Sequence, residues 1–180
     1  MPRRRFAPKS QHAEASPFSK GTFGSLNGRG KKIAITVSRF NEVITRRLLQ
    51  SACDVLCQAG VSEKHIEIIW VPGALEIPFF VLKLLKTKRF DAVIALACVL
   101  RGDTYHYECV CHEVTRGISQ AALETGIPVA SGIITANTLE QAIDRSGLKA
   151  GNKGAHAALA ALEIANLDRV IQKKKVKRHA

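Results

Sequence analysis

The chain has 180 residues, enough for one domain and too few for two of ordinary size. Hydrophobic content of 46% supports a buried core, while no stretch approaches the uncharged span of about 20 residues that a membrane helix needs, so no membrane partner is expected. The net charge of +12 invites a nucleic-acid reading, but residues 1–30 and 172–180 each carry +5, which leaves the body at +2 and argues against nucleic-acid binding by the folded domain.

Residues 1–30 read as a basic, disordered extension. Arg3, Arg4 and Arg5 are followed by Gln11, His12 and Glu14 rather than the apolar run of a secretory leader. The glycine-rich segment 21–30 (GTFGSLNGRG) lacks the Lys-Ser/Thr of a phosphate-cradling loop and precedes a strand, so it is not a nucleotide fingerprint. From residue 31 the hydrophobic pattern alternates between strand and helix. Lys32–Ser38 (KIAITVS) predicts a first strand. Asn41 is expected to cap a helix with apolar residues at Val43, Ile44, Leu48, Leu49, Ala52, Val55 and Leu56, closing near Gly60. Ile66–Val71 predicts a second strand, and Pro78 fits the first turn of a helix running to about Lys88. Ala92–Leu100 is nine apolar residues without a charge, the pattern of a strand buried on both faces. The helix after it ends at Gly126. Pro128–Thr135 gives a fourth strand, Leu139–Arg145 a short helix, and Ala155–Val170 a final alanine-rich helix. Residues 172–180, with Lys173, Lys174, Lys175, Lys177 and Arg178, form a basic tail, and weak polyanion binding is expected through the two tails. The chain therefore divides into an extension (1–30), a domain (31–171) and a tail (172–180). Four β-α units imply an α/β fold, a flavodoxin-like three-layer sandwich around a four-stranded parallel sheet.

Five cysteines, Cys53, Cys57, Cys98, Cys109 and Cys111, form an odd set in a chain without export signals, which points to a reducing, cytoplasmic location. Cys109, Cys111 and His112 are the only tempting metal cluster. They lack a second pair at ligand spacing and diverge around one helix, so buried apolar thiols are the better account and no metal is expected.

Open α/β sheets bind ligands at the carboxyl ends of their strands. Here those ends supply Ser38-Arg39-Phe40-Asn41, Pro72-Gly73-Ala74-Leu75-Glu76, Arg101-Gly102-Asp103-Thr104 with His106, and Thr135-Ala136-Asn137. The topology brings them to one rim. Phe40 suits stacking on a heterocycle and equally suits packing under the first helix. Gly73 lets backbone approach a ligand, and Glu76 either meets that ligand or complements a helix dipole. Gly102-Asp103-Thr104 offers successive N–H groups and a hydroxyl to an anion. Arg145, with Lys149 and Lys153 among the glycines of 147–154, is a second anion-binding element or a set of cations at a helix terminus.

Four segments strongly resemble, in order across residues 22–171, the 6,7-dimethyl-8-ribityllumazine synthase family. They are Arg39-Phe40-Asn41-x-x-Ile44-Thr45, Trp70 to Pro78 (WVPGALEIP), Val99-Leu100-Arg101-Gly102-Asp103-Thr104-x-His106, and Gly147-x-Lys149-Ala150-Gly151-Asn152-Lys153-Gly154. The resemblance implies a transferase of riboflavin biosynthesis. It would condense 5-amino-6-(ribitylamino)uracil with 3,4-dihydroxy-2-butanone 4-phosphate, releasing phosphate and two waters without metal or organic cofactor. It implies that Phe40 stacks on the pyrimidine, and that Ala74, Leu75 and Glu76 surround the ribityl chain. Cys98, Val99 and Leu100 would bind the uracil through backbone, and Asp103, Thr104 and Arg145 would hold the phosphate. His106 would relay protons, since an imidazole accepts and donates near neutral pH.

Many members carry phenylalanine where this chain has Ser131, a position that reaches the neighbouring subunit's site. The family further implies a homo-oligomer, which is a pentamer, a decamer of paired pentamers or a sixty-subunit shell, and an association with riboflavin synthase. The compact stretch Gly147–Asn152, where some pentameric members carry an insertion that obstructs shell packing, favours the shell. Two other classes stand beside this reading. One is a pocket-bearing relative without activity, which the intact His106 and Arg145 oppose. The other is a polyanion binder working through its tails, which tail removal would separate from turnover.

Overall fold

The computed structural model describes residues 21–176, with side chains through Gln172; the expectations for 1–20 and 177–180 lie outside the described residues. The strands β1 (Ile33–Ser38), β2 (Ile66–Val71), β3 (Ala92–Leu100) and β4 (Val129–Ala136) form one parallel sheet in the order β2-β1-β3-β4. Helices α1 (Glu42–Gln58), α4 (Leu139–Asp144) and α5 (Lys153–Val176) contribute to the core on one face, and α2 (Ile77–Lys86) and α3 (His106–Thr125) to the core on the other. This is the expected flavodoxin-like three-layer sandwich.

The apolar runs of β1 and β3 follow from this layering. Ile33, Ile35 and Val37 of β1 and Ile94, Leu96 and Cys98 of β3 join the α1/α5 core, while Ala34, Val93, Ala95 and Ala97 point into the α2/α3 core. A central parallel strand has no solvent face, so it tolerates no alternation. On α3 the buried residues Val110, Val114, Ile118 and Ala121 form one helical stripe, which leaves His106 exposed at the helix start. Buried alanines at 157, 158, 161 and 165 let α5 lie close against the sheet and α1. The two helices approach closely at Gly154, where an added Cβ would sit 2.0 Å from the Leu48 carbonyl oxygen.

Several local expectations are corrected. Asn41 occupies the residue before α1, but in a left-handed conformation (φ 57°, ψ 45°) and without a side-chain cap. Its carbonyl accepts the N–H groups of Ile44 and Thr45, while its carboxamide reaches across to donate to the Cys98 carbonyl at 2.9 Å. Helix α2 stops at Lys86 rather than Lys88, which has a positive φ. The glycine-rich stretch after Arg145 is not a plain loop. It forms a small antiparallel hairpin, β5 (Ser146–Leu148) with β6 (Gly151–Asn152). Asn152 then starts α5 earlier than Ala155, its Oδ1 accepting the N–H groups of Gly154 (2.8 Å) and Ala155 (3.3 Å). The same helix continues past Val170 to Val176, into the basic segment expected to be a tail.

Residues ahead of β1 are fastened to the body. Asn166 of α5 donates to the carbonyls of Ser25 (2.7 Å) and Asn27 (3.0 Å). The Lys31 ammonium is buried at the foot of the sheet, 3.5 Å from the Asp91 carboxylate and 3.4 Å from the Ala165 carbonyl. Among the cysteines only Cys98 is buried; Cys53, Cys57 and Cys111 are half-buried, and Cys109 is exposed, against the expectation of buried thiols.

Candidate active site

The carboxyl ends of β1, β2 and β3 border one cavity of about 370 Å³, largely apolar and open to solvent. After β1 the chain turns sharply, with the N–H groups of Arg39 and Phe40 donating to the carbonyls of Val71 (2.8 Å) and Pro72 (3.1 Å). Those two bonds, with the Asn41 carboxamide on Cys98, pin the turn to its neighbours while the Phe40 ring stays 70% exposed at the cavity edge. The Phe40 ring is therefore not packed under α1.

After β2, Gly73, Ala74, Leu75 and Glu76 form the adjoining wall. Glu76 does more than complement a helix start. Its carboxylate folds back to accept the Gly73 N–H at 2.8 Å, closing the loop into a compact turn beside the cavity. Cys98, Val99 and Leu100 run along another side. Burial pushes the Cys98 thiol up to about 11, so it is a neutral group there rather than a nucleophile.

The segment after β3 completes the rim. Gly102, Thr104 and His106 line the cavity, with Thr104 and His106 exposed to solvent. Arg101 does not present the free cation that its place in the sequence suggested. Its Nε donates to Asn137 Oδ1 at 2.9 Å, an Nη donates to Glu108, and its guanidinium lies 4.5 Å from the Tyr107 ring centre. Hydrogen bonding from its own backbone N–H, then from Arg101, holds the Glu108 carboxyl below the usual carboxylate range. Burial in the first place raises the Tyr107 phenol, so it stays protonated and able to donate.

Of the residues singled out in the sequence, Phe40, Ala74, Leu75, Glu76, Cys98, Val99, Leu100, Thr104 and His106 meet at this cavity. Asp103, Ser131 and Arg145 lie outside its lining. Asp103 is exposed beside it, and Ser131 is exposed on β4. Arg145 ends α4, its Nη1 donating to the Gln141 carbonyl at 3.0 Å. Tyr107 and Val110 line the cavity without having been anticipated. The signal for Val110 was available, because residues four apart share a helix face and His106 begins that helix. Chemically, the arrangement offers a flat aromatic surface, an apolar floor, backbone groups along β3, and an imidazole beside a hydroxyl and a glycine. That set suits a planar heterocycle and a small anionic partner undergoing proton transfers.

Comparison with known proteins points to one family. The family model described as 6,7-dimethyl-8-ribityllumazine synthase matches residues 30–169. The 6,7-dimethyl-8-ribityllumazine synthase of Kosmotoga olearia is 50% identical over 149 residues, covering 83% of this chain and 96% of that protein. The match takes in every strand and all the cavity-lining residues, and the chain belongs to the 6,7-dimethyl-8-ribityllumazine synthase family.

Proposed function

We propose that this enzyme condenses 5-amino-6-(ribitylamino)uracil with 3,4-dihydroxy-2-butanone 4-phosphate to 6,7-dimethyl-8-ribityllumazine, the product that names its family and its relative. The observation that carries the reading is the convergence of Phe40, the Gly73–Glu76 turn, the β3 backbone and His106 on one cavity. Phe40 stacks on the pyrimidine. Ala74, Leu75 and Glu76 meet the ribityl chain, and Cys98, Val99 and Leu100 present backbone groups to the uracil. The Asn41 carboxamide already occupies one lone pair of the Cys98 carbonyl, so the uracil shares that oxygen or uses its neighbours. Thr104, with the Gly102 and Asp103 backbone, receives the phosphate.

The primary amine of the uracil adds to the ketone and loses one water as the imine forms. Loss of the proton from the neighbouring hydroxyl-bearing carbon then expels phosphate from the next carbon, the resulting enol becomes a ketone, and ring closure of the second nitrogen onto that ketone releases the second water. Each step moves a proton, and His106 is the group at the rim able to accept and return it. Both reactants are intrinsically reactive, so holding them together supplies most of the acceleration.

Arg145 and Ser131 fit this reading through a second copy. The cavity is open, and both residues lie outside its lining. In a homopentamer they face the cavity of the adjacent subunit, with Arg145 clamping the phosphate there and Ser131 leaving the pyrimidine's far face less covered than a phenylalanine would. The basic test is absorbance-detected lumazine formation from the two purified substrates. Turnover without added metal or cofactor is the expected result, and no turnover by the assembled enzyme overturns the assignment.

A further inference from the structure

Arg101 stands at the cavity rim, yet its Nε, one Nη and the face of its guanidinium are all engaged by the protein. Its partners come from separate elements. The Arg101 N–H donates to the carbonyl of Ala136, the last residue of β4, at 2.9 Å, and Nε donates to Asn137 just beyond it. Tyr107 and Glu108 both belong to the first turn of α3. Asn137 is itself tied to α4, its N–H donating to Gln141 Oε1 at 2.9 Å.

Between the two anchor points lies the segment that faces the ligand. Asp103, Thr104 and Tyr105 are exposed, and space is open around the Cβ position of Gly102. Packing therefore does little to place this segment. The bracket at Arg101 on one side, and at Tyr107 and Glu108 on the other, is what fixes its ends. Arg101 is the side-chain partner of Glu108, whose other carboxylate oxygen is enclosed without a hydrogen-bond partner among the described residues.

We propose that Arg101 is a positioning residue: its guanidinium locks the first turn of α3 to the ends of β3 and β4, and so sets where His106 and the Gly102–Thr104 backbone stand over the cavity. The inference rests on reading that cavity as the condensing site. Arginine suits the task because one planar fork donates in two directions while its face lies on a ring, a combination lysine cannot reproduce. Displacement by about 1 Å of a group that positions reactants costs on the order of 10²-fold in rate.

The test uses the full-length enzyme with both substrates varied, comparing Arg101→Lys, Glu108→Gln, Glu108→Ala and the double variant Arg101→Lys/Glu108→Ala. Arg101→Lys should lower kcat by about 10- to 100-fold and raise KM for the butanone phosphate while leaving KM for the pyrimidine nearly unchanged. Glu108→Ala should reproduce that pattern, and the double variant should be no worse than either single one, because the two side chains act as a unit. Glu108→Gln keeps an acceptor and should retain most of the rate. Amide hydrogen exchange at residues 102–105 should quicken in the two impaired single variants. Unchanged kinetics, or both KM values rising together with a lowered melting temperature, would overturn the role. If Arg101→Lys does not fold, the Glu108 pair decides by the same criteria. A wild-type enzyme without turnover refutes the condensing site itself; an active wild type with unaffected variants refutes only the bracket.

Discussion

His106 and Arg145 approach the proposed reaction from different directions, one lining the cavity of its own chain and the other outside it. If neighbouring copies share each site, His106→Ala and Arg145→Ala should each depress turnover, the former by a factor on the order of 10² as expected of an acid–base group. Mixed assemblies of the two variants should then recover activity, since some interfaces pair an intact His106 with an intact Arg145. Absence of recovery would place both residues in one copy's site. Cys98 offers a separate check. Burial raises its thiol from 9.0 to about 11, so the folded form holds the proton more tightly than the unfolded chain does. The contribution to stability is present below about pH 9 and is lost as pH rises towards 11. Alkylation of native enzyme near pH 8 should spare Cys98, and its modification before unfolding would contradict the burial. Phe40, Gly73 to Glu76, Gly102, Thr104 and His106 were legible because strand ends are countable from hydrophobic periodicity, whereas Cys98, Val99 and Leu100 entered through the family resemblance alone. The commitments of Arg101 were not, because its partner Asn137 lies 36 positions away and nothing local specifies the contact.

At the scale of elements, strands with no solvent face were the easiest to read, β3 above all. Its boundaries follow from an uncharged run ending in Arg101-Gly102. The β5–β6 hairpin escaped because strands of three and two residues carry no periodicity, and glycines there resemble an anion-binding loop. Asn41 misled for a related reason: its residue type fits a cap, but the competing acceptor on Cys98 claims its carboxamide. Gly154 shows what the helix packing demands. A methyl group there meets the Leu48 carbonyl oxygen at 2.0 Å and its carbonyl carbon at 2.6 Å, backbone atoms that cannot swing aside as a side-chain end would. Gly154→Ala should therefore destabilise by roughly 1–3 kcal/mol through overpacking between α1 and α5. At about 2–4 °C per kcal/mol for a chain of this size, the melting temperature should fall by several degrees. An unchanged or raised melting temperature would mean that the helices separate easily and that this contact does not set their spacing.

For the whole molecule, the exposed outer face of β4 and the open cavity both point outward from a chain whose proposed chemistry needs a neighbour. Ser131 and Thr135 are exposed there, on a strand paired on one side only within the described residues. A pentamer would cover such an edge and complete the sites. The β5–β6 connection is short, and the shell of twelve pentamers expected from the sequence is the assembly to test. Charge opposes that assembly. Residues 1–30 and 172–180 each carry +5, so a pentamer would carry the charge of both basic ends of five copies, against +2 for each body. Repulsion among those ends is screened only within about 8 Å at physiological ionic strength and reaches farther in dilute salt. If the ends crowd onto one shell surface, assembly should strengthen with added salt, phosphate or polyanion, contrary to the weakening expected of contacts built from opposite charges. Analytical sedimentation at low and moderate salt separates the cases. A shell that grows at the expense of pentamers as salt rises is the expected outcome, and a species no larger than a pentamer under both conditions would refute the shell.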